Sequence, residues 1–199
     1  MSELRFATSN LHKFEEATHV LRSEGIRVTR LPSKGTEIQS DSVAEIASLA
    51  AAEVYHKTRT PVFVEDTGLF VKSLGGFPGA YGAYVFSTIG LKGLTGLLER
   101  SQGRDAEFRS AVAYCDSPSG KPAIFAGKLV GSIAKSQRGS NGFGFDPIFI
   151  PEGGRLTLAE MTLDEKCTIS HRSIALRAFA TWFKAHHQRS ERGKSFNSR

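Results

Sequence analysis

The 199 residues are 40% apolar and carry a formal charge of +6, enough core for a single domain and too modest a charge to require a nucleic-acid partner. Two cysteines, Cys115 and Cys167, exclude a disulfide framework, show no metal-ligand spacing and suit a reducing compartment. No apolar run approaches the roughly 18 residues of a membrane span, and Met1–Phe6 lacks a signal-peptide core, so a cytoplasmic protein without a membrane partner is expected. Half of the charge excess, +3, falls in residues 188–199, QRSERGKSFNSR, whose polar composition predicts a disordered basic tail behind one domain over 1–187.

Leu4–Ala7 reads as a first strand. Thr8-Ser9-Asn10 follows, and Phe14, Ala17, Val20 and Leu21 then recur at helix spacing, with Ser9 or Asn10 as the N-cap. A strand, a small polar turn and a helix start present free N–H groups and the helix dipole to an anion, and Lys13 adds a positive charge there. Taken alone, TSNxxK is equally an ordinary capped helix with a solvated lysine, since it is no P-loop. Gly25 ends the helix and Ile26–Leu31 alternates as a strand. A polar stretch carries Glu37, and Val43, Ile46, Ala47, Leu49 and Ala50 mark a second helix from Ser42 to His56.

Pro61–Val64 is a β-branched run that predicts a buried strand delivering Glu65 and Asp66 to a turn at Thr67-Gly68. Carboxylates at the rim of a sheet are placed where α/β sheets bind ligands, although solvated acids would look the same. Gly75-Gly76-Phe77-Pro78-Gly79 specifies an unusual loop. Leu91, Leu94, Leu97 and Leu98 suggest a helix weakened by Gly93 and Gly96. Phe108–Cys115 and Pro122–Val130 read as a hairpin. A second glycine-rich loop, Gly139 to Pro147, precedes the strand Ile148–Ile150. Its Phe143 and Phe145 either fold into the core or stack on a flat ligand, as RNA-binding modules stack bases. In the last segment Ile169, Ile174, Ala175, Ala178, Phe179, Trp182 and Phe183 trace a helix face, with Lys166, His171 and Arg172 at its start. Cations are disfavoured at a helix N-terminus, so this cluster calls for an anion, or is a solvated basic patch.

Together these pieces resemble the inosine triphosphate pyrophosphatase family. The resemblance is carried by four blocks in order, TSNLHKFEE, VEDTGLFVKSLGGFPGAYGAYV, NGFGFDPIFIP and AEMTLDEKCTISHRSIAL, and spans Leu4 to Phe183. It implies an α/β fold, an elongated mixed β-sheet with flanking helices and two lobes around a central cleft. It implies hydrolysis of non-standard purine nucleoside triphosphates (ITP, dITP, XTP) to monophosphate and pyrophosphate by a homodimer that uses Mg²⁺, with Mn²⁺ as a substitute. By the resemblance, Thr8, Ser9, Asn10, Lys13, Thr67 and Lys166 bind phosphate and substrate. Asp66 and Lys13 are catalytic, and Glu37, Asp66 and Glu65 are the metal carboxylates. Phe143, Gly144, Phe145, Asp146, His171 and Arg172 hold the base. The chain departs from the family pattern at Thr36, Gly82 and Cys167, and at Ala50, where many members carry a lysine.

Two other functions stay open at this level: a related pyrophosphatase acting on dTTP/UTP-like or modified pyrimidine nucleotides, and a nucleotide-binding regulator without catalysis. The FGFDP and SHR blocks disfavour the first, and retention of Glu37 and Asp66 disfavours the second. No specific nucleic acid is expected.

Overall fold

The computed structural model describes the backbone of residues 3–196 apart from 34, 37, 102, 119 and 120, and side chains as far as residue 186. Strand β1 (Glu3–Ala7) leads into helix α1 (Leu11–Ser23), and β2 (Arg27–Leu31) precedes helix α2 (Val43–Thr58). Strand β3 (Val62–Val71) is followed by the short β4 (Pro78–Gly79) and helices α3 (Gly82–Thr88) and α4 (Gly90–Leu97). The hairpin β5 (Asp105–Cys115) and β6 (Ala123–Ile133), β7 (Phe149–Pro151), α5 (Leu163–Ile169) and α6 (His171–Phe196) complete the chain. The seven strands form one mixed sheet in the order β2-β1-β3-β5-β6-β7, with β4 attached to β3.

The sequence predicts that the central strand ends at Glu65-Asp66 and that Thr67-Gly68 turns. The strand instead runs on to Val71, paired residue by residue with β5 from Val62↔Cys115 to Val71↔Ala106. Thr67, Leu69, Phe70 and Val71 favour the pleated state, and the glycine serves a close approach rather than a turn. A Cβ at Gly68 would lie 2.6 Å from the Gly79 carbonyl oxygen, so β4 could not cross there over any other residue. Residues from Gly82 form a helix that the sequence does not announce, and the single C-terminal helix it predicts is broken at Ser170. There the backbone turns extended and the hydroxyl accepts from the Ser173 N–H at 3.2 Å, ending α5 and opening α6. The latter continues to Phe196, so its last turns run through the segment whose composition suggests a tail.

Period-2 alternation divides the side chains of β3 between two cores. Phe63 joins Phe6, Val20, Leu21 and Phe179 beneath α1 and α6, its ring 4.5 Å from Phe6 and 5.3 Å from Phe179. Val62 and Val64 join Ala47, Ala50, Ala51 and Val54 of α2 on the opposite face. The alanines let α2 lie close to the sheet, and a Cβ at Gly35 would come 2.6 Å from the Ala50 Cα. Backbone therefore occupies the space that a lysine at position 50 would need. A third core, with Leu69, Leu94, Phe108, Ile148 and Phe149, fills the far end of the sheet. Burying each such phenylalanine contributes roughly 1.5–3 kcal/mol.

Two details set up the site. On one side β3 is paired with β1 only as far as Phe6↔Phe63 and with β4 only from Leu69↔Gly79. Residues 65–68 lie in the gap between these partners, where both faces of β3 can be reached from one edge. On the face of the sheet that α1 also covers, α6 rests on β6 at Gly127. A Cβ there would lie 2.0 Å from the His171 carbonyl oxygen and 2.7 Å from the Ala175 nitrogen. Glycine at 127 thus fixes the depth of His171 and Arg172.

Candidate active site

The TSN turn is built largely from its own hydrogen bonds. The Thr8 hydroxyl accepts from the Asn10 N–H at 3.1 Å, and the Asn10 side chain caps α1 by accepting from the Lys13 N–H at 3.1 Å. Thr8 and Asn10 therefore shape the turn, and with the Lys13 N–H capped it is the N–H groups of Leu11 and His12 at the helix start that can face an anion. Lys13 reaches across to the gap in the sheet, where its Nζ donates to the Glu65 carbonyl at 3.2 Å and lies 2.9 Å from the Glu65 carboxylate.

From Lys13 an alternating line of buried charge runs inward. The Glu65 carboxylate also meets Arg172 Nε at 3.2 Å, and Arg172 Nη1 donates to Glu16. The other oxygen of Glu16 accepts from Lys166 Nζ at 2.7 Å, and Lys166 donates in turn to Asp146. Asp146 closes the line by accepting from the Phe143 N–H at 2.7 Å. Three cations and three carboxylates, on α1, β3, the glycine-rich loop, α5 and α6, compensate one another. The Lys-His-Arg cluster does have its anions, and for Lys166 and Arg172 they are internal. Glu16, which the sequence reading did not single out, stands at the centre.

Glu65 is engaged by four protein groups. Besides Lys13 and Arg172, it accepts from Ser110 at 2.6 Å and from Thr67, which itself accepts from Arg172 Nη2 at 3.2 Å. Burial alone would push its carboxyl up, but Arg172, Lys13 and the two hydroxyls outweigh burial and hold it well below the carboxylate range. Glu16 is lowered by the same contest, burial against Arg172 and Lys166. For Asp146 burial prevails over Lys166 and its pKa is raised. Asp66 is adjacent to Glu65 on a strand, so alternation sends its half-buried carboxylate to the α2 face. The two acids thus point to opposite faces of β3. Among the described residues no three His, Cys, Asp or Glu side chains converge as a metal cage, and Glu37 lies outside the described residues.

His171 is buried, its ring stacked 4.5 Å from Phe108 at 13°, and neither ring nitrogen has a hydrogen-bond partner. Burial, then the neighbouring Arg172, push its pKa well below 6.5, with Glu65 opposing. The fold therefore holds it neutral, while the unfolded chain takes up a proton near 6.5. Its contribution is fully present above that pH and is lost as pH falls, by up to about 1.4 kcal/mol per pH unit. Urea midpoints should fall between pH 7 and pH 5, and His171→Phe should flatten that slope; an equal slope in the variant would contradict the assignment. Below 4.5 the lowered pKa values of Glu16 and Glu65 add a further loss, which the raised pKa of Asp146 partly offsets.

Phe143 is the half-buried ring of the glycine-rich loop, with Lys166 Nζ 5.0 Å and the Arg172 guanidinium carbon 5.3 Å from its centroid. Gly142 is required beside it, since a Cβ would lie 2.2 Å from an Asp146 carboxylate oxygen. Phe145 turns inward and meets Phe86 edge-on at 5.8 Å, so of the two loop rings it is the core one. Gly144 follows Phe143 with φ +61°, the turn that separates the two rings. The hollow in front of Phe143, of about 450 Å³, is bounded by His12 and Glu15 of α1, Asn141, Met161, Thr162 and Lys166. A larger hollow of about 840 Å³ lies at the far end of the sheet around Phe70 and Arg109, away from these groups.

A mixed sheet with one strand gap thus has a lysine and helix start on one side of it and a ring flanked by cations on the other, groups whose chemistry suits a small anionic ligand with a planar end. The chain belongs to the Ham1 family, whose model matches residues 4–182. It is 51% identical over 179 residues to a dITP/XTP pyrophosphatase of Methanopyrus kandleri, covering 90% of this chain and 95% of that one. It is 49% identical over 181 residues to a dITP/XTP pyrophosphatase of Thermococcus kodakarensis, covering 91% and 97%. The solved HAM1 protein from Coxiella burnetii superposes with a TM-score of 0.81 at 28% identity, covering 93% of this chain and 100% of that chain. The mixed α/β fold with flanking helices implied by the resemblance is thus confirmed, its sheet having seven strands.

Proposed function

We propose that the chain hydrolyses non-standard purine nucleoside triphosphates, dITP, ITP and XTP, to the monophosphate and pyrophosphate, removing them before polymerases incorporate them. Family membership and relatives of that activity matched over nearly their whole length support the reaction class. The observation that carries base choice is the Phe143 ring beside Lys166 and Arg172. Both side chains are donor-only at their charged ends. A base stacked on Phe143 therefore meets donors, which suit the 6-oxo group of hypoxanthine or xanthine and oppose the 6-amino group of adenine. A mispaired buried polar group discriminates strongly.

The triphosphate lies over the strand gap, its charge met by Lys13 and the first N–H groups of α1. Asp66, half-buried in the gap, orients a water for in-line attack at the α-phosphorus and accepts its proton. Pyrophosphate leaves toward Lys13, whose charge is already positioned by Glu65. The donor set fits Mg²⁺, with Mn²⁺ as substitute: a hard cation is held by one or two carboxylates together with substrate phosphates and water, and the resemblance assigns Asp66 and Glu37 as those carboxylates. When bound, the ion supplies charge neutralisation on the phosphates and acidifies a coordinated water. A nucleotide panel scored by pyrophosphate release, with and without Mg²⁺, tests the reading. Release from ITP, dITP and XTP well above ATP and dTTP is expected, and equal or greater activity on dTTP would overturn it.

The enzyme acts in the cytoplasm, a reading supported by two unpaired buried cysteines and by the absence, among the described residues, of a helix long and apolar enough to cross a membrane. It works as a homodimer. From Ser73 to Leu98 the sequence carries a single charge, Lys92, and Phe77, Tyr81, Tyr84, Phe86, Ile89 and Leu97 are exposed there. Charge depletion with aromatic enrichment suits a face covered by a second copy of the same chain. Sedimentation should give a dimer and Tyr84→Glu a monomer; a monomeric wild type would contradict the pairing.

A further inference from the structure

His12 is the one ring among the described residues that lies flat on Phe143. Their centroids are 5.1 Å apart and their planes 12° from parallel. The imidazole is otherwise exposed, so the contact is a surface stack and not a piece of core. Its position is specific. His12 precedes Lys13 in the first turn of α1, directly after the turn assigned to the phosphates, and the face it touches belongs to the ring assigned to the base. Both residues bound the same hollow of about 450 Å³, together with Lys166. A nucleotide with its phosphates at the helix start and its base on Phe143 must pass the His12 side chain.

We propose that His12 is a binding-site residue that acts as an internal place-holder: in the empty enzyme its imidazole takes the stacking face of Phe143, and an oxidised purine binds by displacing it. The proposal rests on the functional reading above. A flat ring of purine-like polarity on a bare phenylalanine keeps an aromatic face out of water until a base replaces it. Stacked aromatic pairs are favourable beyond simple area burial. The closed arrangement therefore predominates in the free protein, and the apparent affinity for nucleotide is reduced by the fraction of molecules in which the face is open. That factor is the same for every base, so the contact lowers affinity without altering the preference among bases. Displacement needs rotation of an exposed side chain only.

The test is calorimetric titration of wild type, His12→Ala and His12→Phe with inosine monophosphate, paired with steady-state kinetics on ITP. His12→Ala is expected to lower the dissociation constant and KM by about three- to tenfold, as a face closed in most molecules becomes open in all of them, with kcat little changed. His12→Phe, a stronger stack, should raise both. The imidazole proton resonances of wild-type His12 should move when the monophosphate binds, as the ring leaves the shielding face of Phe143. Equal or weaker affinity in His12→Ala would overturn the proposal while leaving the functional reading standing. A wild-type protein that binds no inosine nucleotide would overturn both.

Discussion

Replacement of Asp66 by asparagine is expected to lower kcat by at least about 10², with the thermal midpoint almost unchanged. The substitution keeps the shape of the side chain and its place in the β3–β5 ladder, where Asp66 pairs with Ala111. It removes the negative charge and the proton acceptor. Alternation along β3 leaves no neighbour to take over, because Glu65 faces the other way and is saturated by Lys13, Arg172, Ser110 and Thr67. Steady-state kinetics at saturating Mg²⁺ and ITP measure the effect. Activity within a few-fold of wild type would remove Asp66 from the chemical step. The companion Glu65→Gln should behave differently, losing stability as well as activity, since it uncouples the buried Arg172 and the half-buried Lys13.

Glu16→Ala is expected to destabilise the protein by about 3–5 kcal/mol, which for a chain of this size is a fall in thermal midpoint of about 10 °C. The carboxylate is buried between Lys166 at 2.7 Å and Arg172, both of which are buried themselves. Removing it leaves two cations in a dry interior with only Asp146 and Glu65 to answer them, and an uncompensated buried charge costs far more than a surface pair gains. Glu53 provides the contrast. It pairs with Lys57 one turn away and accepts from Thr36, all at the surface, and its removal should leave the midpoint nearly where it was. Differential scanning calorimetry of the two variants decides the matter, and comparable losses would refute the internal charge line. Because the line carries Lys166 and Arg172 to the Phe143 ring, Glu16→Ala should also blunt the preference for 6-oxo purines.

The outline of the fold was legible from periodicity and turn residues. Leu4–Ala7, the α1 stripe, the helix beginning near Ser42 and the β5–β6 hairpin all stand where apolar spacing puts them. What was not legible has physical causes. Gly68 reads locally as a turn, and only the crossing of β4 shows it to be a strand residue with no room for a side chain. Glu65-Asp66 reads as a carboxylate pair while the strand is thought to stop there. Once the strand continues, its two-residue period separates them. The cationic cluster of Lys166, His171 and Arg172 was conspicuous, but anions within the chain cannot be told from a bound one without the fold. Glu16 did leave a signal: it lies one turn before Val20 and beside Ala17 on the buried face of α1, where an acid has to be paired. The stack of His12 on Phe143 joins residues 131 positions apart and had no local trace.

The central claim is that one groove, crossing the gap in β3, holds phosphates at Asp66 and Lys13 and an oxidised purine at Phe143. A crystal structure with Mg²⁺ and a non-hydrolysable α,β-imido analogue of ITP tests it most directly. The account predicts the α-phosphate beside Asp66, the remaining phosphates at Lys13 and the start of α1, and hypoxanthine lying on Phe143 with its 6-oxo group toward Lys166 and Arg172. A nucleotide bound in the hollow around Phe70 and Arg109, or a base lying away from Phe143, would contradict it.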